Sequence, residues 1–142
     1  DGTIDVMNVH LEAFSNDNRR QQAAILVDYV RGHAASRPLV LGGDFNSIPP
    51  FSVKTKGFVD EDIDFSGDDT IEQIQRIPGL SEVIIDETPG LPPTVFFTYP
   101  AQSPSRRLDY VFHRGFTGSI LTRVPRSATF SDHLPVITEL LF

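Results

Sequence analysis

Two short polar clusters at the mouths of apolar strands carry the groups best suited to chemistry: Gly42-Gly43-Asp44-Phe45-Asn46 and Ser131-Asp132-His133. Asp44 and Asn46 alternate with Phe45. On an extended strand both polar side chains therefore point one way while Phe45 turns into the core. Gly42 and Gly43 leave bare backbone just ahead of them, where other groups can approach closely. Asp132 and His133 offer a carboxylate and an imidazole, the pair with which a hydrolase can hold a hard cation and deprotonate water. Plainer readings exist for each. Asp44 after a glycine pair suits an Asx-turn, Asn46 a helix or loop cap, and His133 alone a structural histidine. Asp109 resists such a reading, because a buried carboxylate in the apolar run 108–112 needs a partner.

The elements that must position these groups follow from hydrophobic patterning. Residues 3–11 read as a buried strand ending at His10. Asn16-Asp17-Asn18 offers N-cap candidates for a helix to about Gly32. Its apolar face is Ala23, Leu26, Val27 and Val30, with Arg19, Arg20, Gln21 and Asp28 largely off it. Pro38-Leu39-Val40-Leu41 is a short apolar strand running into the Gly-Gly-Asp-Phe-Asn segment. Strand, helix, strand in this order implies a right-handed crossover, with polar groups at the strand's carboxyl end, where such sheets build sites. Ser47 to Asp69 is loop-rich, and its acidic run from Asp60 to Asp64 reads as solvated. Asp69-Thr70 starts a short helix through Arg76, stopped by Pro78-Gly79. Further strands are expected at 83–85, 95–99, 108–112, 119–121 and 134–140.

Bulk properties bound the answer. The 142 residues fit one domain, and 39% apolar composition with 11 Phe suits a globular chain. No apolar run approaches the roughly 20 residues that span a bilayer. The chain opens on Asp1 almost directly into strand pattern, so its visible N-terminus reads as a cut or processed end. With no Cys, disulfides, thiolate catalysis and cysteine-based zinc sites are excluded. The net charge of −7 is unfavourable for tight binding through many phosphate contacts. It does not forbid a phosphate substrate, since a bound cation inverts the local field.

The order His10, Asp44-x-Asn46, Asp109, Asp132-His133, each at a strand end, resembles the endonuclease/exonuclease/phosphatase superfamily, the DNase I-like fold. The matching stretches are Asn8-Val9-His10-Leu11, Gly43-Asp44-Phe45-Asn46-Ser47, Arg107-Leu108-Asp109-Tyr110-Val111-Phe112 and Ser131-Asp132-His133-Leu134-Pro135-Val136. The resemblance implies that residues 1–142 are a single partial domain. They would be the C-terminal half of a four-layer α/β sandwich, with a mixed, mostly antiparallel sheet flanked by helices. It further implies Mg²⁺-assisted phosphoester hydrolysis, with Mn²⁺ or Ca²⁺ as alternative ions. Asp132 and Asp44 would hold or support the metal. His133 would be the general base, with Asp109 fixing its tautomer. Asp44 would orient the attacking water and Asn46 donate to a phosphate oxygen. His10 would stabilise developing charge or protonate the leaving oxygen. Having His at position 10 is similar to the DNase, sphingomyelinase and deadenylase branches, and departs from the abasic-site endonucleases.

The family's upstream half normally supplies an Asn and a Glu for the metal, and a carboxylate for the first His. None has a counterpart here, so the isolated chain is expected to be weakly active or inactive. A lone half also exposes an apolar sheet face, to be covered by the N-terminal half or by self-association. Substrates in keeping with the resemblance are a nucleic acid, a phospholipid head group or a small phosphoester. The competing reading is a non-catalytic interaction module that retains the fold. Serine hydrolase, phosphate-loop and zinc protease chemistries lack their motifs. His33 and His113 read as incidental, and Arg106-Arg107 as either a phosphate grip or a solvated pair.

Overall fold

In the computed structural model of the chain, residues 2–33, 37–49, 52, 54–60, 62–83, 93–119, 122–128 and 130–142 are described. The elements run β1 (Asp5–His10), α1 (Asn16–His33), β2 (Leu39–Asp44), α2 (Thr70–Gln75), β3 (Ser81–Glu82), a 3-10 turn (Pro93–Phe96), β4 (Asp109–Arg114), β5 (Gly118–Ser119) and β6 (Leu140–Leu141). Four strands form a mixed sheet in the order β1-β2-β4-β3. β1 and β2 are parallel across α1, and β4 runs antiparallel to both β2 and β3. This is the α/β arrangement expected from the sequence. Among the described residues, no helix is long and apolar enough to cross a membrane.

Sequence chemistry explains the helices. α1 is capped one residue earlier than the Asn16–Asn18 set suggests: the Asn18 amide donates to Ser15 Oγ at 3.3 Å. Ala23, Val27 and Val30 are buried as the stripe requires. Arg19 lies on that stripe too, four residues before Ala23, and is fully buried, contrary to expectation. Its fork is filled. Nε donates to Asp68 at 2.8 Å, Nη1 to the carbonyls of Glu12 and Ala13, and Nη2 to Asn16 Oδ1. A desolvated guanidinium survives only when its donors are met in this way.

Alternation along the strands divides the core. Leu39, Leu41, Phe45, Tyr110 and Phe112 face the helices and pack on Ala23, Val27, Val30, Ile71 and Ile74. The Phe45 ring stands edge-on to Tyr110 and Phe112, with centroids 5.5 Å from each. On the other face, Val111 joins Val83, Phe96, Ala101, Val124 and Leu134. On β1, that same face carries Val6, which is 75% exposed, with Asn8 and His10.

Two expected strands are not strands. Residues 95–99 begin in the 3-10 turn, and only Tyr99 makes an isolated bridge, to Arg106. Residues 134–140 pair only at Ile137, with Arg123, until β6. Pro135 has no amide hydrogen to give a ladder. The apolar residues in both stretches cover the sheet rather than extend it. In the runs expected at 83–85 and 119–121, Ile84, Ile85, Ile120 and Leu121 lie outside the described residues.

Arg106 and Arg107 are buried, so the expected solvated pair is not found. Arg106, 2% exposed, is bidentate to Asp60 at 3.0 and 2.8 Å, so the acidic run is anchored at its start. Arg107 pairs with buried Glu82 at 2.6 Å and lies over the Tyr110 ring.

At Gly43, φ is +137° and an added Cβ would meet the Val9 carbonyl oxygen at 2.0 Å. Gly43→Ala is expected to cost about 3 kcal/mol or more, read as a lower urea midpoint. The Arg106 hydrogen bond holds the Asp60 carboxyl below the usual carboxylate range, against the opposing pull of desolvation. A depressed folded-state value means the pair stabilises above the ordinary carboxylate range and the stabilisation is lost as pH falls through the folded value. Asp60→Asn should therefore lower the urea midpoint at pH 7, with the gap from the parent closing below about pH 4.

Candidate active site

Strand register assembles the site. His10 pairs with Asp44 across β1 and β2, and Asp44 pairs with Asp109 across β2 and β4. Directly paired residues project from one face, so three strand ends deliver an imidazole and two carboxylates in one row. The Gly43 close approach just described lets β1 and β2 run together up to that row.

The fourth group arrives from the irregular C-terminal segment. Thr98 fastens it. The Thr98 carbonyl accepts from the Leu134 amide at 2.8 Å, while its hydroxyl accepts from the Leu108 and Asp109 amides at 3.1 and 3.3 Å. One fully buried residue thus holds the backbone on both sides of the His133–Asp109 contact. The Ala101 amide adds a bond to the Asp132 carbonyl at 2.7 Å. The sequence reading did not single out Thr98; the available signal was the one small polar side chain within the run 95–99 of otherwise large apolar and aromatic residues.

His133 Nδ1 lies 2.8 Å from Asp109 Oδ2. A carboxylate only accepts, so Nδ1 carries the proton, and in the neutral ring Nε2 presents its lone pair. Nε2 lies 3.7 Å from Asp44 Oδ2, and His10 Nε2 lies 3.6 Å from the same oxygen. The other Asp44 oxygen accepts from the Asn46 amide at 2.8 Å. Asp44 is therefore both an Asx-turn residue and a member of the polar cluster. Asn46 departs from the extended-strand expectation, because β2 ends at Asp44 and Asn46 adopts φ +48°. Its buried side chain donates to the Leu11 carbonyl at 2.9 Å. Phe45 points into the core as expected. Asp132 is exposed, and its carboxylate accepts from Ser131 Oγ at 3.3 Å.

Electrostatics follow the geometry. Burial above all raises the Asp44 carboxyl, and the neighbouring Asp109 charge adds to it, against the Asn46 amide and the two histidines. The Asp109 hydrogen bond raises His133, opposed by burial and assisted by the charges of Asp109, Asp44 and Asp132. Ligand atoms of Asp44, Asp109 and His133 lie within 4.8 Å of one another. Carboxylate oxygens suit a hard cation, and crowding of Asp44 by Asp109 is the kind of strain a cation relieves. The donor set fits a divalent ion in that respect, with Asp109 already engaged by His133. Beside the cluster is a cavity of about 370 Å³, lined by Gly43, Asp109, Phe130, His133, Leu134 and Val136 among others. Chemically, the arrangement offers a carboxylate-oriented base next to a second carboxylate and an exposed imidazole.

Among solved structures, the chain is similar to a functionally unknown conserved protein from Enterococcus faecalis, at 21% identity and TM-score 0.68, covering 95% of this chain and 48% of that one. It is similar to a mannosyl-6-phosphatase from Bacteroides thetaiotaomicron, at 19% identity and TM-score 0.67, covering 96% and 51%. Truncated TDP2 from Caenorhabditis elegans follows at 18% identity and TM-score 0.66, covering 99% and 55%. The chain thus spans about half the length of these structures, and at such identities the likeness speaks to the fold. No curated protein matches the sequence. The model of the endonuclease/exonuclease/phosphatase family matches residues 2–133, which extends from before β1 to the histidine of the dyad. The chain belongs to the endonuclease/exonuclease/phosphatase family.

Proposed function

We propose that this chain carries the general-base half of a divalent-metal-dependent phosphoester hydrolase. The observation that supports this most directly is the 2.8 Å contact between His133 and Asp109, placed beside Asp44 and His10. His133 Nε2 takes a proton from the attacking water, and Asp109 keeps the imidazole in the required tautomer and offsets the charge that forms. Asp44, facing both imidazoles, orients that water. The exposed His10 stabilises charge developing on the phosphoryl group or protonates the leaving oxygen. Asn46 donates to a phosphate oxygen with the amide hydrogen not given to Leu11. Asp132 and Asp44 would hold the ion, Mg²⁺ first, with Mn²⁺ or Ca²⁺ as alternatives, Asp132 from outside the cluster of Asp44, Asp109 and His133, and the ion would supply neutralisation of phosphate charge.

Full activity in this reading needs the metal-holding Asn and Glu of the family pattern, which residues 1–142 do not contain. A second segment carrying them would pack on the face where Val6 is exposed, or two copies would associate through it. The substrate is a nucleic acid, a phospholipid head group or a small phosphoester. A mannosyl-6-phosphatase among the similar folds keeps the small phosphoester in view, and the net charge of −7 disfavours tight non-specific duplex binding.

The test is an assay of the longest polypeptide containing residues 1–142, with Mg²⁺, across DNA, RNA, sphingomyelin, phosphoinositides and phosphomonoesters. Hydrolysis of one class is expected, with the 142-residue chain alone far slower. His133→Ala should lower kcat by roughly 10²–10⁴-fold; an unchanged rate removes the base assignment, and biological function that survives His133→Ala without hydrolysis of any class favours an interaction module. Chelation by EDTA should abolish turnover and added Mg²⁺ restore it. Turnover that persists in EDTA rejects the metal.

A further inference from the structure

The hydrogen bond to Asp109 constrains where His133 Nδ1 sits, but its angular tolerance leaves the imidazole room to tilt about the Cβ–Cγ bond. Such a tilt moves Nε2. Tyr99 lies against the ring on this path: its ring centroid is 4.6 Å from that of His133, with the planes 47° apart.

Tyr99 is in turn held on two levels. Its backbone is closed onto Arg106 by reciprocal bonds, each amide donating to the other's carbonyl at 3.1 Å. Its ring lies 4.6 Å from the Arg106 guanidinium, which also lies 4.5 Å over the Phe58 ring. That guanidinium is buried and bidentate to Asp60 at 3.0 and 2.8 Å, with Ser105 Oγ accepting at 3.0 Å. A flat cation that stacks on rings and grips a carboxylate at fixed angles defines a plane as well as a charge. The column Asp60, Arg106, Tyr99, His133 therefore carries the position of the loop at 58–60 into the angle of the imidazole.

We propose that Tyr99 and Arg106 are positioning residues that set the orientation of the His133 ring, with Asp60 as the outer anchor. This rests on the reading of His133 as the base, and it is separable from it by experiment. The Tyr99 ring contact displaces the carbon-bound ring protons of His133 in the NMR spectrum of the 142-residue chain, with assignment through His133→Gln. Tyr99→Phe should keep that displacement and Tyr99→Leu should abolish it. Arg106→Lys, which keeps the charge and loses the planar fork, should move the resonances part of the way in the same direction, and so should Asp60→Asn. Should Arg106→Lys fail to fold, Asp60→Asn decides the matter, because it weakens the fork without removing the buried cation. Unmoved His133 resonances in Tyr99→Leu overturn the contact. Resonances unmoved in the outer variants, when Tyr99→Leu does shift them, overturn the column. In the phosphoester assay, Tyr99→Leu should lower kcat roughly 10- to 100-fold with KM changed by less than about twofold, and Tyr99→Phe should restore it. A protein without turnover counts against the base assignment, and the NMR measurement still decides the column.

Discussion

The close approach of β1 to β2 is the constraint on which the site depends. Parallel pairing from Asp5↔Leu39 to His10↔Asp44 is possible only if no side chain stands between Val9 and residue 43. Glycine meets that demand at a positive φ. With the two strands in contact to their ends, and β4 locked antiparallel on the other side of β2, the row of His10, Asp44 and Asp109 follows from register alone. The site is therefore a property of the sheet. Its one non-sheet member, His133, is brought to the sheet by Thr98 rather than by a strand of its own.

Much of this was legible in the sequence, and the reasons are local. The continuous apolar run Leu39-Val40-Leu41 and the helical stripe Ala23-Val27-Val30 are patterns set by neighbouring residues. The Asp109 carboxylate within an apolar strand announced that it had a partner, and His133 is that partner. What failed to show were features decided at a distance. Arg19, Arg106 and Arg107 looked like surface or ligand-facing charges because nothing near them in sequence neutralises them. Their carboxylate partners are Asp68, Asp60 and Glu82. Segments 95–99 and 134–140 have the composition of strands but lack most of the ladder neighbours that would make them so. Asn46 kept the alternation of a strand that had already ended at Asp44.

Buried ion pairs of this kind add little net stability compared with apolar packing, but breaking one leaves an uncompensated charge and is costly. They act as registration pins. Two tie a loop to a regular element, Arg19 on α1 to Asp68 ahead of α2 and Arg107 ahead of β4 to Glu82 on β3, and the third, Arg106 to Asp60, joins two loops. The aromatic rings under Arg106 and Arg107 replace part of the lost hydration.

The segment from Ser47 to Asp68 illustrates what such pinning does to a connection that carries little regular secondary structure. Tyr110 Oη donates to the Ser47 carbonyl, Arg106 grips Asp60, Asn16 donates to the Asp64 carbonyl, and Arg19 holds Asp68. The last two attachments lie only four residues apart, and residues 64–68 are described throughout. A residue added or removed between Asp64 and Asp68 would strain one of these two bonds, whereas point changes at outward-facing positions such as Lys54, Lys56 and the wholly exposed Val59 touch none of the four.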